Sequence, residues 1–232
     1  FDGKRDGAWP LAFNSEDQSL RNALIFINLV LWSEPLRVMK LVPSSRKPLL
    51  IASDAQASEL SVSAAYLVVD PEDGFRWGGF WRFEPKDVEA LGYPGYPTKD
   101  EKRNPIGAAE AAAVANTYFD LQHRYPDRLA SRDVVHWIDN TSSLHSLVKG
   151  GSVNDAIDRA CALSYFKIFA CRCRPWFEYV ASDANWSDGA SRLLDKDDFA
   201  RNHNFLLHRI GFPDWAWRCD LATAWRCCSS YH

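Results

Sequence analysis

No apolar run in the 232-residue chain is long enough to cross a bilayer: the most hydrophobic stretch, Ala23 to Trp32, is broken by Asn28 and flanked by charge. No basic, apolar and small-residue leader opens the sequence, so neither a membrane partner nor secretion is expected, and the protein is placed inside the cell, in cytoplasm or nucleus. The first residue is Phe1, which suggests a piece of a longer polypeptide. The six cysteines lie in the C-terminal third without C-x-x-C pairs or a histidine pair at zinc-finger spacing, so reduced thiols are expected instead of a zinc site. Positive charge is not in excess: 27 Lys and Arg against 30 Asp and Glu leave a net charge of -3. That balance excludes a polybasic binder held to nucleic acid by bulk charge. It does not exclude a nuclease whose central carboxylates are neutralised by cations. The six histidines show no metal-ligand spacing to one another, and no motif supports Ser-His-Asp chemistry.

What is present is the composition of a folded protein, 47% hydrophobic and 25% charged. Residues 1 to 14 lack periodicity. From Ser15 a capped helix is predicted, with Leu20, Ala23, Leu24, Ile27 and Leu31 on one face and Pro35 limiting its end. A linker rich in Pro, Ser and basic residues leads to a short buried strand, Leu49 to Ala52, that hands over Ser53 and Asp54. Strands near Ala64 to Val69 and Phe75 to Phe83, separated by Pro71-Glu72-Asp73-Gly74, complete an antiparallel meander. Trp77, Phe80 and Trp81 on the third strand suit a core or a stacking surface for bases. Pro85, Gly92, Pro94 and Gly95 mark Glu84 to Asn104 as a long loop.

The alanine-rich stretch after Pro105, Ile106 to Leu121, predicts a helix that carries Glu110. Val134 to Ile138 predicts a strand ending at Asp139, with Asn140-Thr141-Ser142-Ser143 as capping material for a following helix. A long helix from about Val153 to Arg172, a strand from Trp176 to Ala181, and a turn presenting Asp188 at a helix start come next. Beyond Asp195 a helical, then aromatic and irregular tail is expected.

Four acids thus stand on a strand, a helix, a strand end and a helix start. Their segments, IASDAQASE, NPIGAAEAAAV, VVHWIDNTSSLHSLVKG and FEYVASDANWSDGASR, resemble the four successive acidic motifs of ribonuclease H domains, above all those that follow reverse transcriptases in retroelements. The likeness runs from about Leu49 to Arg192. It implies an α/β fold, a ribonuclease H-like mixed five-stranded sheet with helices on both faces, preceded by an N-terminal helical extension. The division it suggests is 1-48 for that extension, a possible reverse transcriptase connection, 49-194 for the nuclease-like domain, and 195-232 for the tail.

By the same resemblance Asp54, Glu110, Asp139 and Asp188 hold two Mg²⁺ ions, with Mn²⁺ able to substitute, and hydrolyse the RNA strand of an RNA–DNA hybrid during reverse transcription. Asp54 bridges the ions, Glu110 and Asp139 complete one shell and Asp188 the other. Hard cations take oxygen ligands, and two of them about 4 Å apart serve both the attacking water and the leaving oxygen. Asn140, Ser142, Asn185 and Arg192 are the candidate substrate contacts, Asn140 through an amide able to meet a ribose 2′-hydroxyl. A covalently linked reverse transcriptase is the implied partner. Two departures stand out: no glycine follows Asp54 before Gly74, and Tyr179 to Ser187 contains no histidine before the last acid. The same acids would also suit a DNA-acting transposase, integrase or resolvase, or a decayed scaffold that binds without cutting.

Overall fold

The computed structural model describes residues 44–58, 61–96 and 104–229, which belong to the compact unit Lys40–His232. The helix expected from Ser15 and most of the proposed extension lie outside the described residues.

Three strands open the sheet: β1 (Leu49–Ala57), β2 (Val62–Val69) and β3 (Arg76–Phe83), each antiparallel to the next. Ala52 to Ala55 of β1 and Val62 to Val68 of β2 are buried without a break, so both faces of the sheet are covered here. Between β2 and β3 the Asp70 carboxylate accepts the Glu72 N–H at 3.0 Å, and Gly74 takes a positive φ of 74°, which glycine adopts without steric cost. β1 runs past the predicted Ala52 to Ala57, so Asp54 sits inside the strand and not at its end. The expected long loop after Phe83 contains a helix, α1 (Pro85–Ala90), where the Asp87 side chain accepts the Glu84 N–H at 2.8 Å in a capping box and Pro85 occupies the first turn.

Helix α2 (Ile106–Arg124) follows Pro105, and its run of alanines lets it lie close on β1 and β2. After the short α3 (Pro126–Leu129), β4 (Asp133–Ile138) enters parallel to β1. Asn140 caps α4 (Thr141–Lys149) by accepting the Ser143 N–H at 3.0 Å, and Gly150 closes it. Asn154 caps α5 (Asp155–Cys171), which packs on α2 and leads to β5 (Arg174–Tyr179), parallel to β4. Two short helices, α6 (Asp188–Leu193) and α7 (Asp198–Asn202), cover the other face, where Ala190, Ala200 and Phe205 pack on Ala65, Leu67 and Phe80.

The C-terminal residues do not form a mere tail. Leu206–Arg209 is a sixth strand, β6, parallel to β3, followed by α8 (Asp214–Arg218) and α9 (Leu221–Ser229). The sheet is therefore mixed and six-stranded, in the order β5-β4-β1-β2-β3-β6, with helices on both faces. It is one strand wider than the sequence suggests. At the end where β1 and β4 begin, Arg132 and Asp70 form a fully buried ion pair at 2.6 Å, and Arg132 also donates to the Lys47 carbonyl. Trp77, Phe80 and Trp81 belong to the core, which removes them as a stacking surface.

Candidate metal centre

β1 and β4 pair in parallel from Leu49 and Val134 to Ala52 and Trp137. Beyond that register β4 ends, and the β1 edge around Asp54 and Ala55 opens toward the start of α2. There Glu110 reaches in from α2 and accepts the backbone N–H of Ala55. Asp139, the first residue after β4, turns its carboxylate to the same place. Oxygens of Asp54, Glu110 and Asp139 all lie within 4.8 Å of one another. The structure thus brings together three of the four predicted acids from three separate elements.

The fourth stands beside them. Asp188 begins α6, and its carboxylate is paired with Arg192 one turn later, at 2.9 Å and 2.7 Å. Its charge still reaches Asp54 and helps to raise that carboxyl's pKa. Burial is the main cause of that rise and takes Asp54 to about 7; the Ser191 hydroxyl bonded to Asp54 opposes it, while Asp139 and Asp188 add to it. Glu110 is raised well above the usual carboxylate range, first by burial and then by the charges of Asp54 and Asp139.

Two carboxylate oxygens, Oε2 of Glu110 and Oδ1 of Asp139, are buried without any hydrogen-bond donor. A buried acceptor left so is rare in native proteins and costly. Clustered, desolvated, partnerless carboxylate oxygens are the ligand type of a hard divalent cation, which also removes the repulsion that raises the pKa values of Asp54 and Glu110. The residues present fit such an ion.

The four predicted substrate contacts differ in their surroundings. Asn140 spends its carbonyl oxygen on the α4 cap, and Ser142 is exposed on the first turn of that helix. Asn185 is buried, donates to the Ser53 carbonyl at 3.2 Å and accepts from Ser187, which makes it a brace for the loop before α6. Arg192 is held by Asp188. Ser191 belongs to the last acidic segment, where it stands with Asn185, Asp188 and Arg192, but its contact with Asp54 was not foreseen. Sequence reasoning also missed a contact behind the site, where Ser53 meets fully buried His136 at 2.8 Å. Burial alone pushes the His136 pKa down to about 3 and keeps the ring neutral. His208 is half-buried and pairs with Asp120 at 2.8 Å, where Tyr66 and Arg124 also donate to that carboxylate.

No family model matches the chain, and no curated protein does. Among solved structures it is similar to RNase H1 from the halophilic archaeon Halobacterium salinarum, at 12% identity and a TM-score of 0.39, over 58% of this chain and 86% of that one. It is also similar to the yeast mitochondrial Holliday junction resolvase, at 12% identity and a TM-score of 0.25, over 87% of this chain and 84% of that one. β1 is antiparallel to β2 and parallel to β4 in a mixed α/β sheet, with acids on β1, on α2 and directly after β4, which is the arrangement that the sequence resemblance implies.

Proposed function

We propose that the protein is a metal-dependent endonuclease that hydrolyses the RNA strand of RNA–DNA hybrids. The observation that carries this reading is the convergence of Asp54, Glu110 and Asp139, with two of their oxygens buried and unpartnered. When bound there, divalent cations, Mg²⁺ or Mn²⁺ in this proposal, would lower the pKa of the attacking water and stabilise the leaving oxygen. Asp54, Glu110 and Asp139 would hold these cations, and Asp188 would join them after exchanging its pairing with Arg192, a surface pair one helical turn apart and worth about 0.3–0.5 kcal/mol. Arg192, once released, would be free to meet a phosphate.

The hybrid substrate and its origin in reverse transcription, with a linked reverse transcriptase, rest on the sequence resemblance. In this reading 49-194 and β6 make up one catalytic domain. Among the described residues no helix is long and apolar enough to cross a membrane. The test is cleavage of labelled RNA–DNA hybrid, double-stranded RNA and double-stranded DNA with Mg²⁺, with Mn²⁺ and with chelator. Cutting confined to the RNA of the hybrid, and lost in chelator, is expected. Cutting of duplex DNA with the hybrid spared would transfer the activity to DNA, and no cutting of any substrate would overturn the nuclease reading.

A further inference from the structure

A cavity of about 150 Å³ opens beside the carboxylates, lined by Ala52, Trp137, Val180, Ala184, Asn185 and Trp186. Its position is informative because each lining segment also delivers an acid. Ala52 stands two residues before Asp54 on β1 and shares its face, Trp137 stands two residues before Asp139, and Ala184 to Trp186 run directly into Asp188. Two residues of strand span about 7 Å, so whatever enters the cavity is adjacent to whatever meets the carboxylates.

The lining selects an occupant. Trp137 and Trp186 form its aromatic wall, with ring centroids 5.0 Å apart and planes inclined at 56°. Among the described residues no basic side chain lines it, so these residues offer a phosphate no counter-charge there. Asn185, buried and tied to the Ser53 carbonyl and to Ser187, holds the wall in place. α6 and α7 cover β1 to β3 on this face but leave the β4–β5 side open: Trp176, whose register partner is Val135, is 67% exposed. A flat, apolar, heterocyclic group of single-ring or double-ring size suits this space, and nucleic acid supplies one next to every phosphate.

We propose that the Trp137–Trp186 cavity is a subsite for one unpaired nucleobase of the strand whose phosphate meets Asp54, Glu110 and Asp139. The inference rests on the nuclease reading and adds a substrate feature to it. A base held in this cavity is out of its stack, so a substrate with an unpaired nucleotide near the scissile phosphate is favoured over a fully paired one, because it does not have to break a pair to enter.

The test separates the subsite from the chemistry. An RNA–DNA hybrid carrying one unpaired 2-aminopurine, scanned along the RNA strand, is titrated with the Asp54→Asn protein, which lacks a metal ligand and does not turn over. At one position the fluorophore is expected to be quenched on binding, with affinity at least about fivefold tighter than for the same hybrid with an abasic residue there. Trp186→Leu and Ala184→Leu, the second filling the cavity from an exposed position without removing core, should each lose that advantage while unfolding cooperatively. Equal affinity for base and abasic forms at every position, or an advantage retained in Ala184→Leu, overturns the subsite. Cleavage by the wild type is read separately: discrimination without cleavage leaves the subsite standing and removes the nuclease reading, and cleavage without discrimination does the reverse.

Discussion

Ser191, on α6, donates its hydroxyl to the Asp54 carboxylate of β1, and the same oxygen lies 2.9 Å from the Asp188 carbonyl. This contact joins the last acidic segment to the first and opposes the burial that raises the Asp54 pKa. Ser191→Ala removes a hydrogen bond to a charged group, so the Asp54 pKa should rise further above its ordinary value. The acidic limb of the pH–rate profile is expected to move upward, with activity lost most at the acidic end. An unmoved limb would mean that Asp54 does not control it.

Without metal, the charge cluster should make stability fall as pH rises. Asp54 keeps its proton in the folded state up to about 7 against an ordinary value of 3.8, and Glu110 is also raised. The folded state therefore binds more protons than the unfolded chain across that window. The favourable contribution, complete below the ordinary carboxylate range, is lost by the time pH has passed through the folded value. For Asp54 this amounts to an upper limit on the order of 4 kcal/mol. Denaturant unfolding in chelator at pH 5, 6, 7 and 8 should show the decline, and Mg²⁺ should stabilise the protein more at pH 8 than at pH 5.

Asp139→Asn removes one of the charges that raise the pKa of Asp54 and of Glu110. It should abolish cleavage and leave the metal-free protein at pH 8 as stable as the wild type or slightly more stable. Thermal unfolding in chelator decides the matter: a large loss would make Asp139 a structural acid.

Asn140 has a part in capping that must be separated from any contact with ribose. Asn140→Ala should cost about 1 kcal/mol of stability through the lost cap, whereas Asn140→Ser keeps an N-cap acceptor and removes only the amide. If the amide meets a 2′-hydroxyl, both variants lower kcat/KM on hybrid by about 1–3 kcal/mol. Full activity in Asn140→Ser would confine the residue to capping.

Arg132→Met leaves Asp70 buried and partly unpaired at the far end of the sheet. Burial would raise the Asp70 pKa, but hydrogen bonds from Arg132 and Arg128 and the Glu72 N–H hold it well below the usual range. A loss of about 3–5 kcal/mol is expected by denaturant unfolding at neutral pH. Because the shift is downward, the wild-type contribution of Asp70 is present above the ordinary carboxylate value and fades as pH falls through the folded one.

The meander, α2, β4 and the two capped helices α4 and α5 are legible because apolar runs, turn residues, alanine content and Asn caps agree locally. β1 was read too short because Ser53, Asp54 and Gln56 have little strand preference of their own; pairing with β2 as far as Ala57 extends it. α1 was hidden by Pro85 and the glycines around it, although Pro85 and Asp87 together form its start. β6 is short and partly exposed, so alternation is nearly invisible in Leu206–Arg209, and only its place beside β3 makes it a strand. The four acids were legible as motifs. The pairing of Asp188 with Arg192, the brace made by Asn185 and the contact between Ser191 and Asp54 depend on how α6 docks on the sheet, which local sequence does not specify.

The most direct test of the metal centre is hybrid cleavage by the wild type and by Asp54→Asn, read beside Mn²⁺ binding by electron paramagnetic resonance. The expected result is cutting of the RNA strand that requires Mg²⁺ or Mn²⁺, Mn²⁺ binding by the wild type, and loss of both in Asp54→Asn without loss of fold. Cutting that persists in Asp54→Asn or in chelator, or unchanged Mn²⁺ binding by the variant, would contradict the assignment of catalysis to these carboxylates.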